Sequence, residues 1–264
     1  MTAVVHVLHA GGTGVPLVLL HAFPLDTRMW QDVAALLGGG DAPVLAVDLP
    51  GMGTAVGPAL PEPSLEHAAD AVAAALALAG HHRAVVAGLS MGGYVAMALA
   101  ERHAGLIAGI GLLDTKATAD APEARVNRLR VADAVESSGA LDEVLPMATS
   151  LLGATSRAQR PDLADRVAGW IRGQRPEGVA WSQRAMAARP DRTVALAAVD
   201  VPALVLVGAE DEATPMAQAE LMADALRVRP VIVPGAGHLT AIEAPEAVAA
   251  ALTALTDRVR ADAG

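Results

Sequence analysis

The sequence predicts an α/β fold with an open, mostly parallel sheet. Three observations carry that reading. Short β-rich apolar runs alternate with longer Ala/Leu-rich helical stretches. Several of the apolar runs are continuous rather than alternating, as in a parallel strand buried on both faces. One long stretch, about residues 118–198, carries no strand pattern at all and interrupts the alternation.

Taken in order, strands are expected at 3–9, 17–21, 44–48, 84–89, 107–113, 203–208 and 230–234. Helices fit between them at 29–37, 64–79, 91–103, 215–226 and 245–260. Ser64 follows Pro63 as an N-cap, and Pro215 stands at a first-turn position. The 118–198 stretch reads as several helices broken at Gly139, Gly153, Pro161, Pro176 and Pro190. Residues 1–117 and 199–264 then form one core domain, with 118–198 as a helical cap or lid inserted into it. The charge divides along the same line: the insertion sums to +1 and the remainder to −11.

The chain has 264 residues, 53% hydrophobic but only 2% aromatic, a net charge of −10 and no cysteine. High hydrophobicity with 18% charged residues excludes a disordered chain. The acidic balance argues against nucleic acid as a partner. The lack of cysteine removes disulfides, a thiol nucleophile and thiolate metal sites. No basic n-region precedes an apolar segment near Met1. The longest uncharged run, 84–100, is 17 residues and carries Gly88, Ser90, Gly92 and Gly93. No membrane association and a cytoplasmic location are therefore expected.

The chemistry begins at Gly88-Leu89-Ser90-Met91-Gly92, a G-x-S-x-G motif in the required context, with a buried strand running in and a helix running out. Such a turn strains the serine backbone and projects its hydroxyl above the sheet. The helix N-terminus there favours developing negative charge. A serine needs a general base. Of eight histidines, His238 in Gly235-Ala236-Gly237-His238-Leu239 stands in the loop after the last strand, on the sheet edge where ligands bind. His6, His9, His67, His81, His82 and His103 have ordinary surroundings; His21, which ends a strand, reads as structural. The acid that orients the imidazole should follow the penultimate strand. Asp211 in Gly208-Ala209-Glu210-Asp211-Glu212 is preferred, Glu210 and Glu212 being read as solvated, and Asp114 at the end of the 107–113 strand is the rival.

Acyl transfer also needs donors to the tetrahedral oxygen. The Met91 amide follows the nucleophile, and the Phe23 amide lies in the His21-Ala22-Phe23-Pro24-Leu25-Asp26 loop. Asp48-Leu49-Pro50-Gly51-Met52-Gly53 is read as loop architecture. Metal-ligand spacing, a phosphate loop and a dinucleotide fingerprint are all missing from the sequence, so no metal and no cofactor is expected.

With these pieces in place, the sequence resembles the α/β-hydrolase family over nearly its whole length. The resemblance rests on LVLLHAFPLD at 17–26, DLPGMG at 48–53, GLSMGGYVA at 88–96, VLVGAEDEATP at 205–215 and GAGHLTAIEAPEAV at 235–248. Within the family it looks like small bacterial hydrolases similar to 3-oxoadipate enol-lactonase. The resemblance implies triad roles for Ser90, Asp211 and His238, oxyanion roles for Phe23 and Met91, no cofactor, and a cap that shapes the pocket. Where the family often has His-Gly, this chain has His21-Ala22, which adds a methyl beside the oxyanion loop. A serine at the elbow argues against dehalogenase and epoxide hydrolase members.

A small ester or lactone is the expected substrate, with the chain a monomer or homodimer. C–C bond hydrolysis, thioester hydrolysis and perhydrolysis use the same triad. A receptor that keeps the pocket without turnover is the reading from another class. Trp30, Trp181, Met186 and Leu239 are expected to bind substrate, with Trp170 as a further cap aromatic. Arg125, Arg128 and Arg130 are candidates to meet a substrate carboxylate.

Overall fold

The structure is a computed structural model that describes residues 2–37, 42–57 and 59–263. A seven-stranded sheet forms its centre: β1 (Val4–His9), β2 (Leu17–Leu20), β3 (Val44–Asp48), β4 (Ala84–Leu89), β5 (Ile107–Leu113), β6 (Ala203–Gly208) and β7 (Val231–Val233), in the spatial order β1-β3-β2-β4-β5-β6-β7. β1 pairs antiparallel with β3 at one edge, and every other pairing is parallel. β2 through β6 are buried along their whole length. Their continuous Val/Leu/Ile/Ala runs follow from that position, because both faces of each strand are covered by helices. Burying each such Val or Leu side chain contributes about 1.5–3 kcal/mol.

The strand expectations hold at 44–48, 84–89, 107–113 and 203–208. β7 is shorter than the 230–234 expected, because Pro230 and Pro234 have no N–H for the ladder. β2 stops at Leu20, where the chain turns into the loop that carries Phe23.

The helices flanking the sheet are α1 (Gln31–Leu37), α2 (Leu65–Leu78), α3 (Met91–Arg102), and, after the segment between β5 and β6, α10 (Met216–Leu226), α11 (Thr240–Glu243) and α12 (Pro245–Ala263). The expected helix at 29–37 opens instead as a 3-10 turn, Thr27–Trp30, because the Asp26 carboxylate caps the Arg28 N–H. Pro215 stands at the N-cap of α10 rather than inside its first turn. Ser64 caps α2 as expected, its hydroxyl accepting the Glu66 and His67 amides at 3.1 and 3.3 Å.

Between β5 and β6 the described chain forms six helices and no strand: α4 (Pro122–Ser138), α5 (Met147–Ser150), α6 (Ala154–Gln159), α7 (Asp162–Arg172), α8 (Pro176–Ala188) and α9 (Thr193–Ala197). The helix breaks follow the sequence: Gly139 caps α4 in the left-handed conformation, Pro161 precedes α7 and Pro176 opens α8. α4 packs along α8. Buried Arg192 ties the end of this segment to the sheet layer, bridging Glu66 of α2 and Glu101 of α3. Among the described residues, no helix is long and apolar enough to cross a membrane.

Replacing Ser64 by Ala removes the cap of α2. It should lower stability by about 1 kcal/mol and the Tm by roughly 2–4 °C, read by calorimetry. An unchanged Tm would show that the cap contributes nothing.

Candidate active site

The turn between β4 and α3 places Ser90 at φ 54, ψ −113. A non-glycine residue pays strain for this conformation, and the surrounding structure imposes it. The Ser90 N–H donates to Leu113 O at 2.9 Å, and its carbonyl accepts the Gly93 amide and the Thr115 hydroxyl. The flanking glycines are demanded by space: a Cβ on Gly88 would lie 2.1 Å from Gly92 O, and one on Gly92 would lie 2.2 Å from Leu20 O. β2 and the start of α3 are in backbone contact there.

The structure brings Ser90, His238 and Asp211 together from three loops. Ser90 Oγ lies 2.8 Å from His238 Nε2. His238 Nδ1 lies 2.9 and 3.1 Å from the two Asp211 oxygens. Asp114, the rival acid, faces Gly208 N and Thr240 Oγ1 instead of the imidazole. Burial pushes the Asp211 carboxyl up. The His238 hydrogen bond and charge, together with Thr214, outweigh that and hold it below the usual carboxylate range. The Ala213 and Thr214 amides and the Thr214 hydroxyl supply those further bonds in a tight Asx-type turn. The imidazole is fixed from its backbone too, the His238 N–H donating to Leu151 O at 2.9 Å.

Phe23 and Met91 are buried, yet among the described residues neither amide donates to another group. The Phe23 loop is braced from below by His21, whose Nδ1–H donates to Ala22 O at 2.9 Å while Nε2 accepts the Leu49 N–H at 3.0 Å. Burial depresses the His21 pKa, in keeping with a neutral structural ring. The Asp48 carboxylate, in the loop read as architecture, receives the Thr27 and Thr54 amides.

A cavity of about 100 Å³ opens beside Ser90, lined by Phe23, Tyr94, Met147, Met186, Thr214 and His238 among others. Met186 reaches it from α8. Trp30, Trp181 and Leu239 do not line this cavity. Trp30 is fully buried in the turn before α1, and its Nε1 has no partner among the described residues. Trp181 donates its Nε1–H to Pro61 O at 2.7 Å and faces a separate groove of about 540 Å³ with Leu60 and Arg184. Leu239, next to His238, is fully enclosed. Trp170 is half-buried at the surface beneath Arg166. Glu210 is not simply solvated: it accepts the Thr155 amide and hydroxyl.

Sequence reasoning missed Lys116, which lines the cavity, and the carboxylate that organises it. Asp120 receives Lys116 at 3.1 Å, Arg128 at 2.6 Å and buried Arg189 at 2.8 Å, and Arg189 also covers the Tyr94 ring at 4.1 Å. Burial raises the Asp120 carboxyl, but the two arginines outweigh it and hold it far below its usual range. Three cations share one carboxylate, so this wall of the cavity carries excess positive charge. Arg125 is exposed and Arg130 pairs with Glu143, so neither takes part. Among the described residues, no group of three or more His, Asp or Glu has an arrangement that could hold a metal ion.

The family described as "Alpha/beta hydrolase family" matches residues 17–251. The chain belongs to the α/β-hydrolase family. It is 27% identical over 233 residues to 3-oxoadipate enol-lactonase 1 of Acinetobacter baylyi, covering 87% of this chain and 84% of that protein. Among solved structures it is similar to a thermophilic esterase from Thermogutta terrifontis, determined with malate bound, at 36% identity and a TM-score of 0.89 over 97% of this chain and 93% of that one. The enol-lactonase from Burkholderia xenovorans matches at 26% identity and a TM-score of 0.81 over 97% and 96%. This chain is thus a hydrolase of the α/β family.

A carboxyl with a depressed folded-state pKa adds stability above its unfolded value and loses it as pH falls toward the folded one. Asp120→Asn should therefore be less stable than wild type at pH 7. The gap should narrow as pH drops below about 4, followed by urea unfolding across pH. A gap that stays constant to pH 3 would show that the carboxylate charge is not its source.

Proposed function

We propose that this hydrolase cleaves a small ester or lactone without a cofactor, through a Ser90–His238–Asp211 triad and an acyl-enzyme. The observation that carries the reading is the continuous path from Ser90 Oγ to His238 Nε2 at 2.8 Å and on from Nδ1 to Asp211 at 2.9 Å. His238 accepts the hydroxyl proton as Ser90 attacks the carbonyl, then returns it to the leaving group. Asp211 holds the imidazole in the tautomer with its proton on Nδ1 and stabilises the imidazolium. The unpartnered Phe23 and Met91 amides take the oxyanion; removing one such donor costs roughly 10²–10³ in kcat. A water then enters and attacks the acyl carbon as it loses a proton to His238; the bond to Ser90 Oγ breaks, His238 returns the proton to Ser90, and the acid leaves.

The esterase and enol-lactonases to which the chain is similar support an ester or lactone over the thioester, C–C and peroxide chemistries of the same triad. The cavity of about 100 Å³ favours a small acyl part. Residues 118–198 act as its cap on this reading, since Arg128, Met147, Leu151 and Met186 reach the cavity from that segment. The excess positive charge of Lys116 and Arg128 beside Asp120 favours a substrate that carries its own carboxylate.

Two experiments test this. A fluorophosphonate probe should label wild type and leave Ser90→Ala unlabelled, with kcat on p-nitrophenyl acetate falling by roughly 10⁶-fold in the variant. Labelling that persists in Ser90→Ala would sink the assignment. Lys116→Met should raise KM about ten-fold for an ester or lactone bearing a carboxylate and leave KM for p-nitrophenyl acetate unchanged. An equal effect on both substrates would remove the case for an acidic substrate.

A further inference from the structure

The end of β5 touches all three loops of the site. The Leu113 carbonyl accepts the Ser90 N–H at 2.9 Å, and the Thr115 hydroxyl donates to the Ser90 carbonyl at 2.8 Å. Between them, Asp114 adopts φ 44 with its side chain buried. Non-glycine residues rarely occupy this left-handed region, although aspartate tolerates it better than most. One Asp114 oxygen accepts the Gly208 N–H at 2.8 Å, and the other accepts the Thr240 hydroxyl in a short hydrogen bond. Gly208 closes β6 three residues before Asp211. Thr240 opens α11 two residues after His238. One buried side chain thus joins the segment that carries the acid to the segment that carries the base, while its chain neighbours hold the nucleophile.

We propose that Asp114 is a positioning residue that keeps the Asp211 and His238 loops in register with each other and with Ser90. The proposal rests on the triad reading above. Asp114 does not line the cavity and acts only through Gly208 and Thr240. The strained backbone fits that role, since strain persists where surrounding contacts over-determine the conformation. The charged groups that bear on Asp114 are Asp211, which faces His238, and Glu243 at the end of α11. Burial and the charge of Asp211 push the Asp114 carboxyl well above its usual range, opposed by its two hydrogen bonds and reinforced by Glu243. An uncharged side chain of the same shape is therefore the conservative replacement.

The test compares full-length Asp114→Ala, Asp114→Asn and Thr240→Val with wild type. The readouts are kcat and KM on p-nitrophenyl acetate, the rate of fluorophosphonate labelling and thermal unfolding. Asp114→Ala should lower kcat and the labelling rate by about ten-fold or more, with KM little changed, since misplacement of catalytic groups acts on the chemical step. Asp114→Asn should stay within about three-fold of wild type, with the same pH dependence of kcat/KM, because it keeps the shape. A folded Asp114→Ala with wild-type turnover and labelling overturns the proposal, as does an Asp114→Asn as slow as Asp114→Ala. If Asp114→Ala does not fold, Thr240→Val carries the test: a several-fold loss of kcat supports the role, and wild-type kcat overturns it. Turnover that survives in Ser90→Ala would overturn the triad reading and this one with it. An inactive Ser90→Ala beside a fully active Asp114→Ala overturns only the role of Asp114.

Discussion

The backbone of Ser90 is the constraint on which the rest of the site depends. Held at φ 54 between a fully buried strand and the first turn of α3, it can only exist because its neighbours fix it. Leu113 O accepts its amide, Thr115 holds its carbonyl, and the Cβ-free Gly88 and Gly92 let β4, α3 and the end of β2 close to contact around it. The same close approach places the β2 loop, with Phe23, beside the start of α3, with Met91. One tight turn therefore sets Ser90 and both unpartnered amides at once, and the parallel sheet supplies the rigid support.

The other partners reach Ser90 from the carboxyl ends of later strands, and buried hydrogen bonds do the work of holding them. Asp211 sits in a turn of four donors, including His238. His238 is tied through its backbone to Leu151, and Gly153 in the same segment donates to buried Glu243 at 2.8 Å. The helical segment between β5 and β6 is thus fastened directly to the loop that carries the imidazole. It forms a wall of the site at that point, together with Lys116, which pairs with Asp120.

The sequence made the strand ladder legible because burial on both faces leaves a continuous apolar run, as in β4 and β6. It made Ser90, Asp211 and His238 legible because each lies at a fixed place in a strand–loop–helix rhythm. The pocket walls were not legible in the same way. Trp30 and Trp181 stand close to site residues along the chain, but helix and turn rotation decide which face a side chain takes, and both rings turn away. Lys116 and Asp120 were hidden for the opposite reason. They lie in a loop without periodicity, and their partners Arg128 and Arg189 come from α4 and from just beyond the end of α8. A loop ion cluster assembled from distant segments leaves no local pattern to read. Asp114 was seen only as a rival acid, because its position beside the site is plain in sequence while the direction of its carboxylate is not.

A crystal structure of the enzyme inactivated by a small alkyl fluorophosphonate tests the proposed role of Ser90 and the two amides. Phosphorus should be bonded to Ser90 Oγ, with the phosphoryl oxygen about 2.7–3.1 Å from both the Phe23 and the Met91 nitrogens and Ser90 still in its left-handed conformation. Phosphorus on another residue, or a phosphoryl oxygen turned away from the two amides, would contradict it.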